Sequence, residues 1–249
     1  MAQSAYGRIK LFDHFCGPEI PVANAVAYGT TAGGCNYYLG DFSVKGDLGE
    51  TDTGVVSLAK AGGWVRISGN NEDGKGVAIC TELVFSPALN GTLVCEARVE
   101  MQALTTRSIF IGYCGTIADD VAEPVTSTGT THTLTAANLC GFVFDSQLTA
   151  ATVWHAVYKG GSTTGATDST TTTTGIAAVA AEADVLRLEI DPNGTARWYI
   201  NGFLEKTVVG AVSTTTLHGA LLGCWGTTGT AADIDADYFA VEGNTDWTR

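Results

Sequence analysis

Residues Val185 to Phe203 hold two runs in which apolar and polar side chains alternate, joined by Asp191-Pro192-Asn193-Gly194 and followed by a tight turn at Asn201-Gly202. A period of two places successive side chains on opposite faces of a strand. Pro192 presets φ for the start of a turn, and Asn193-Gly194 tolerates the positive φ that a tight hairpin requires. Leu186, Leu188 and Ile190 then share one face, and Ala196, Trp198 and Ile200 meet them from the partner strand. The segment reads as an antiparallel hairpin laid on a hydrophobic core, which constrains architecture far more than chemistry.

Strand-like runs recur at Val55–Ala59, Trp64–Ser68, Val77–Phe85, Leu93–Met101, Ser108–Cys114, Leu139–Asp145, Thr152–Tyr158, Leu217–Trp225 and Asp233–Val241. Clusters such as Gly69-Asn70-Asn71 and Gly160-Gly161 separate most of them, the layout of an all-β sandwich or barrel. In Leu93–Met101, Leu93, Cys95, Ala97, Val99 and Met101 face one way, while Glu96, Arg98 and Glu100 face the other. Only Ala177–Ala183 reads as a helical turn. Val125–Asn138 and Ser162–Gly175, the latter containing Thr170, Thr171 and Thr172, are Thr/Gly/Ser-rich and read as long surface loops. Loops of that length are uncommon in a compact domain unless they bind something, so contact with a neighbouring chain and a solvated loop both remain open. With 249 residues and 31 glycines, the expectation is one all-β domain over 11–243, an antiparallel two-sheet β-sandwich, with an arm at 1–10 and a tail at 244–249.

A formal net charge of −13 opposes nucleic acid, whose affinity rests on basic neutralisation of phosphate, and opposes anionic membrane surfaces equally. No apolar run approaches the ~20 residues of a membrane span. The opening residues lack the basic-then-apolar layout of a secretory signal. The seven cysteines include no CxxC pair, and Cys80, Cys95, Cys114, Cys140 and Cys224 sit inside apolar runs. They are expected to be reduced and buried, in a protein made in a cytoplasm.

Leu11-Phe12-Asp13-His14-Phe15-Cys16-Gly17, Gly62-Gly63-Trp64-Val65-Arg66-Ile67 with Phe85-Ser86-Pro87, and Gly141-Phe142-Val143-Phe144-Asp145 follow one another in a recognisable order. Together with the Val185–Phe203 hairpin and the closing run Asp235–Val241, this succession resembles a concanavalin A-like (laminin G-type) jelly roll over roughly residues 10–243. Its motifs are turns and core positions, not chemistry. Within that fold, the cytosolic, threonine-rich character is most similar to tailed-phage virion proteins that decorate capsids or build tails.

The enzymatic branch of the resemblance is a glucanase with a Glu-x-Asp-x-Glu strand. Here the match is Glu96-Ala97-Arg98-Val99-Glu100, with Arg98 in place of the central Asp. Arg98 is expected to pair with both glutamates and hold them ionised, which removes the general acid that retaining hydrolysis needs. Asp233, Asp235 and Asp237 alternate on one strand face, a solvated acidic edge or, less in keeping with the six to eight oxygens calcium takes, a calcium face. His14, His132, His155 and His218 lack metal-ligand spacing. Trp64, Trp198 and Trp225 read as core, whereas Tyr37, Tyr38 and the terminal Trp247 read as contact residues.

The expectation from sequence is therefore a non-enzymatic virion subunit without a cofactor. It is expected to form homo-oligomers and to bind major capsid or other virion proteins through loops and termini. The alternative is a lectin-like adhesin that recognises host surface glycan, with a glycan hydrolase a distant third.

Overall fold

A computed structural model describes residues 7–17, 20, 37–47, 53–69, 71–227 and 232–245. The first strands are β1 (Arg8–Asp13), β2 (Tyr37–Leu39), β3 (Phe42–Gly46), β4 (Gly54–Ser57), β5 (Val65–Ser68) and β6 (Gly76–Cys80). After a single helical turn, α1 (Pro87–Asn90), come β7 (Leu93–Glu100), β8 (Arg107–Cys114), β9 (Val125–Thr128), β10 (Thr131–Leu134), β11 (Leu139–Asp145) and β12 (Val153–Lys159). A second turn, α2 (Ser169–Thr172), leads to β13 (Thr173–Ala177), β14 (Ala183–Ile190), β15 (Ala196–Ile200), β16 (Phe203–Val208), β17 (Gly219–Gly226) and β18 (Asp233–Asn244).

These strands form two antiparallel eight-stranded sheets. The first runs β16-β15-β14-β7-β18-β5-β4, with β1 also on β18, and the second runs β13-β12-β11-β8-β17-β6-β3-β2. The hairpin read from sequence forms in the expected register, with Leu186 opposite Ile200, Leu188 opposite Trp198 and Ile190 opposite Ala196. Its apolar face packs against the second sheet, and Trp198 Nε1 donates to the Gly141 carbonyl across the core at 2.8 Å. A second polar stitch joins the sheets where the Tyr113 hydroxyl donates to the Val94 carbonyl at 2.8 Å. Both groups thereby keep a partner in an interior where an unmade hydrogen bond is costly.

The two sheets differ in how many faces they bury. β8, β11 and β17 are buried at every residue. Their inner side chains join the main core, while Ala78, Cys80, Phe110, Cys114, Val143, Val157, Leu221 and Trp225 form a second cluster on the outer face. The β9–β10 hairpin covers that face through Val125 and Leu134. Strands buried on both sides read as continuous apolar runs, as Ile109-Phe110-Ile111 does. The Trp225 indole lies where Cβ atoms on Gly76 and Gly223 would be, each within 2.4 Å of a ring atom, so those glycines form its seat. Among the described residues no strand covers the outer face of the first sheet, and β7 accordingly alternates buried and half-buried.

Several expectations change. Val125–Asn138 is mostly the β9–β10 hairpin, not a loop, and Ser162–Gly175 contributes α2 and the start of β13, an edge strand. β13 then runs through Ala177, and a single hydrogen-bonded turn follows, Glu182 N–H to the Val179 carbonyl, in which Ala181 at φ 61° is left-handed, so the turn across Ala177–Ala183 is not helical. β1 begins at Arg8, inside the expected arm, because it pairs with the far half of β18, Arg8 opposite Asn244. The cysteines described are free, Cys16 exposed and Cys80, Cys95, Cys114, Cys140 and Cys224 buried. Burial pushes the Cys80 and Cys224 thiols up to about 12 and Cys114 to about 11.

Candidate functional site

The uncovered face of the first sheet collects charged and aromatic side chains. β7 runs between β14 and β18, which places Arg187 opposite Glu96, and both Val185 and Tyr238 opposite Arg98. Asp235 lies opposite Glu100. β18 breaks register between Ala236 and Tyr238. An extra residue in one strand of a ladder is a bulge, which re-aims side chains. Here it turns Asp237 toward Arg98 and lets Asp235 and Tyr238 both face outward.

Every charge at the centre of this face has a partner. Glu96 accepts from Arg187 Nη1 at 3.0 Å and from the Tyr238 hydroxyl at 2.7 Å. Arg98 Nη1 donates to Asp237 Oδ2 at 2.7 Å. Glu100 accepts from Lys60 Nζ at 2.7 Å. Arg66 grips Asp235 with two bonds of 2.8 and 3.1 Å, the fork geometry that guanidinium and carboxylate share. Gln102 Nε2 bridges the facing carboxylates, 2.5 Å from Glu100 Oε1 and 3.3 Å from Asp235 Oδ2. Burial, followed by the hydrogen bond to Glu96, raises the Tyr238 phenol well above its ordinary value.

Aromatic rings flank the charges. Trp64 lies beneath two cations, with Lys60 Nζ 4.0 Å and the Arg98 guanidinium 5.2 Å from its ring. Phe12, on the exposed side of β1, stacks on Tyr238 at 5.7 Å and meets the His14 ring edge-on at 4.3 Å.

This geometry corrects the expectation that Arg98 would pair with both glutamates. The bulge brings Asp237 to Arg98, leaving Glu96 to Arg187 and Glu100 to Lys60. It also separates the acidic trio. Asp233 is held by Arg107 at 3.0 Å, Asp235 by Arg66 and Asp237 by Arg98, so arginine donors occupy the oxygens that a calcium face would offer. Among the described residues no group of three or more metal-ligating side chains forms.

The remaining candidates lie apart. Tyr37 and Tyr38 belong to β2, opposite Val44 and Ser43, and their side chains lie outside the described residues, as does Trp247. Thr170 and Thr171 are exposed on α2, whose first N–H groups are capped by Asp168. Thr172 is buried between His132 and His155. Sequence reasoning passed over Phe12, Lys60, Trp64, Gln102 and Tyr238 as members of one surface. Phe12 and Tyr238 hold outward positions of β1 and β18, where the bulge hides the second, while Lys60 and Trp64 lie between β4 and β5 and Gln102 just after β7, where no strand period marks them.

No family model matches the chain, and no curated protein matches its sequence. The fold has solved relatives. It is similar to peanut lectin, with TM-score 0.55, 10% identity, and 95% of this chain and 97% of that one covered. It is similar to the Bacillus licheniformis β-glucanase, with TM-score 0.51, 11% identity, and 93% and 97% covered. A structure described for endo-acting O-glycanases of the human gut microbiota gives TM-score 0.53, 9% identity, and 95% and 99% covered. The sheets are thus those of a concanavalin A-like sandwich, as the sequence succession implied. The expectation of a non-enzymatic chain is corrected here, because this architecture houses glycan hydrolases as well as a lectin.

Proposed function

We propose that this chain is a glycan-recognising domain that engages carbohydrate on the outer face of the β7 sheet. The observation carrying this reading is the Phe12–Tyr238 stack set beside the Glu96, Arg98 and Asp237 polar groups, on a face that no strand covers among the described residues. A sugar ring offers apolar C–H faces and hydroxyl edges together, so its site needs an apolar surface next to a few oriented polar groups. The likeness to a lectin and to glycan hydrolases supports the same reading. Calorimetric titration of the folded chain with a panel of oligosaccharides tests it. Binding that Phe12→Ala or Glu96→Gln weakens about tenfold or more supports it, at the ~1.5–3 kcal/mol that a hydrogen bond to a charged group contributes. A folded chain that binds no member of the panel overturns it.

Glycan hydrolysis is a second reading, favoured by Glu100 and Asp235 facing each other under one Gln102 amide, and it requires substrate to displace Lys60 so that Glu100 can act as the acid while Arg66 keeps Asp235 ionised. Retaining hydrolysis requires two carboxyl groups ~5–5.5 Å apart. Release of reducing ends that Asp235→Asn abolishes would select cleavage over binding alone. Glycan recognition displaces the virion-subunit reading, with its capsid-protein and homo-oligomer partners, as the leading proposal. Cosedimentation of the chain with assembled capsids or tails, in the absence of glycan binding, would reverse that order.

A further inference from the structure

We infer that the glycan bound on this face carries an anionic group, a carboxylate or a sulfate, and that Arg98 is the residue that reads it. The inference rests on the glycan reading above and names its ligand class. The chain has 13 basic against 26 acidic residues, yet Lys10, Lys60, Arg66, Arg98, Arg187 and Arg197 all form ion pairs on this one face, while Arg8 lies exposed at the start of β1, four residues from Phe12. Five of the six are spent on carboxylates in ways that leave little to offer. Arg187 divides its donors between Glu96 and Glu189. Arg66 holds Asp235 and reaches Asp233. Lys60 is committed to Glu100 and to the Trp64 ring. Lys10 pairs with Glu242, and Arg197 pairs with Asp191 at the hairpin turn.

Arg98 differs. A guanidinium presents five N–H donors in a rigid fork, and among the described residues Asp237 alone takes one, through Nη1. Its side chain is 43% exposed, more than the other arginines paired on this face. Its guanidinium carbon lies 5.2 Å from the Trp64 ring and Asp237 holds one donor, and the two contacts restrain the side chain and reduce the freedom it loses on binding. That edge suits two parallel bonds to a carboxylate or sulfate, which a neutral hydroxyl cannot accept. Tyr238 lies directly opposite Arg98 in the sheet and carries Phe12 on its ring. A sugar ring resting on Phe12 therefore directs a charged substituent at the guanidinium. The nearest carboxylates are each ion-paired, Asp237 with Arg98 itself, Glu96 with Arg187 and Glu100 with Lys60, which weakens their repulsion of a bound anion.

Calorimetry on the full chain with three probes tests this: an oligogalacturonate, a sulfated galactan oligosaccharide and a neutral β-glucan oligosaccharide. At least one acidic probe is expected to bind about tenfold or more tighter than the neutral one, less so as salt rises. Which acidic probe binds separates carboxylate from sulfate. Arg98→Gln is expected to remove that advantage, bringing the acidic-to-neutral affinity ratio to about one, and Arg98→Lys to restore only part of it. Arg197→Gln, which alters charge elsewhere on the sheet, is expected to leave the advantage intact. Equal binding of neutral and acidic probes, or an acidic preference that survives Arg98→Gln, overturns the inference and leaves glycan recognition standing. Binding of none of the three overturns both. If Arg98→Gln fails to fold, the acidic-to-neutral ratio of Arg98→Lys against the parent decides.

Discussion

His132 and His155 share a single hydroxyl: Thr172 Oγ1 lies 3.0 Å from His132 Nε2 and 3.0 Å from His155 Nδ1. The rings are 5.2 Å apart, close to edge-on, and Ser127 Oγ meets His132 Nδ1 at 3.0 Å. This chain fastens the β9–β10 hairpin and α2 to β12, over the outer face of the second sheet. A hydroxyl has one proton to give, and the Ser169 carbonyl lies within reach at 3.3 Å as well, so Thr172 accepts from at least one imidazole N–H. Burial, with the second ring adding to it, lowers His132 from 6.5 to about 4, and burial lowers His155 as well.

The first prediction follows from that sign. The unfolded chain takes up these protons as pH drops below 6.5, whereas folded His132 resists until about 4. Stability is therefore complete above 6.5 and is lost as pH falls toward 4. Thermal melts across that range are expected to show the decline. Thr172→Val leaves two ring nitrogens unpaired and is expected to cost about 1–3 kcal/mol. A variant that melts with the parent would dismiss the shared hydroxyl as incidental.

Glu123 has the opposite dependence. Burial, against a hydrogen bond with Ser108 and with help from Asp145, raises its carboxyl from 4.5 to about 8. Its stabilising contribution is complete below 4.5 and is lost as pH rises through 8. Glu123→Gln removes that slope, and the variant is expected to gain about 2–4 kcal/mol on the parent above pH 8, at ~1.4 kcal/mol per tenfold in proton affinity. Urea titrations at pH 5 and pH 9 measure the difference, and identical shifts at both would refute it.

Asp235 is only 2% exposed, and Arg66 holds it. Arg66→Met strands a buried carboxylate and is expected to cost about 3–5 kcal/mol. Arg66→Met with Asp235→Leu removes both charges and is expected to recover most of that loss. If the double variant is no more stable than the single one, the pair contributes something beyond mutual neutralisation.

Trp198 is fully buried and donates across the core to Gly141. Trp198→Phe removes the donor and leaves a void, for an expected loss of about 2–4 kcal/mol. Equilibrium denaturation followed by far-ultraviolet dichroism reads the loss. A change below about 0.5 kcal/mol, the scale of a surface substitution, would mean that the stitch adds nothing.

The strands that bury one face were legible because their side chains alternate. β7 and the β14–β15 hairpin emerged with the right inward residues, and the continuous apolar runs of β8, β11 and β17 were legible as strands. The β9–β10 hairpin was not, since Thr131-His132-Thr133-Leu134 alternates only if a histidine is counted as an inward residue. His132 is inward because Ser127 and Thr172 satisfy it, and those partners come from other elements. The site was half legible. Glu96, Arg98 and Glu100 were placed on one outward face, but their partners depend on the β18 bulge. A single extra residue reassigns Arg98 from the glutamates to Asp237, and nothing in Asp235-Ala236-Asp237-Tyr238 announces it.

The five thiols buried among the described residues have a use of their own. Cys95, Cys140 and Cys224 lie between the sheets, while Cys80 and Cys114 lie under the outer covering of the second sheet. A thiol reagent needs thiolate and access, and here both come only with opening. Modification of Cys80 and Cys114 ahead of the other three would record the covering peeling away while the sandwich holds. Simultaneous modification of all five would record the whole structure coming apart at once. The chain thus carries native markers for two distinct ways of opening, and peptide mapping after timed alkylation can tell them apart without a single introduced label.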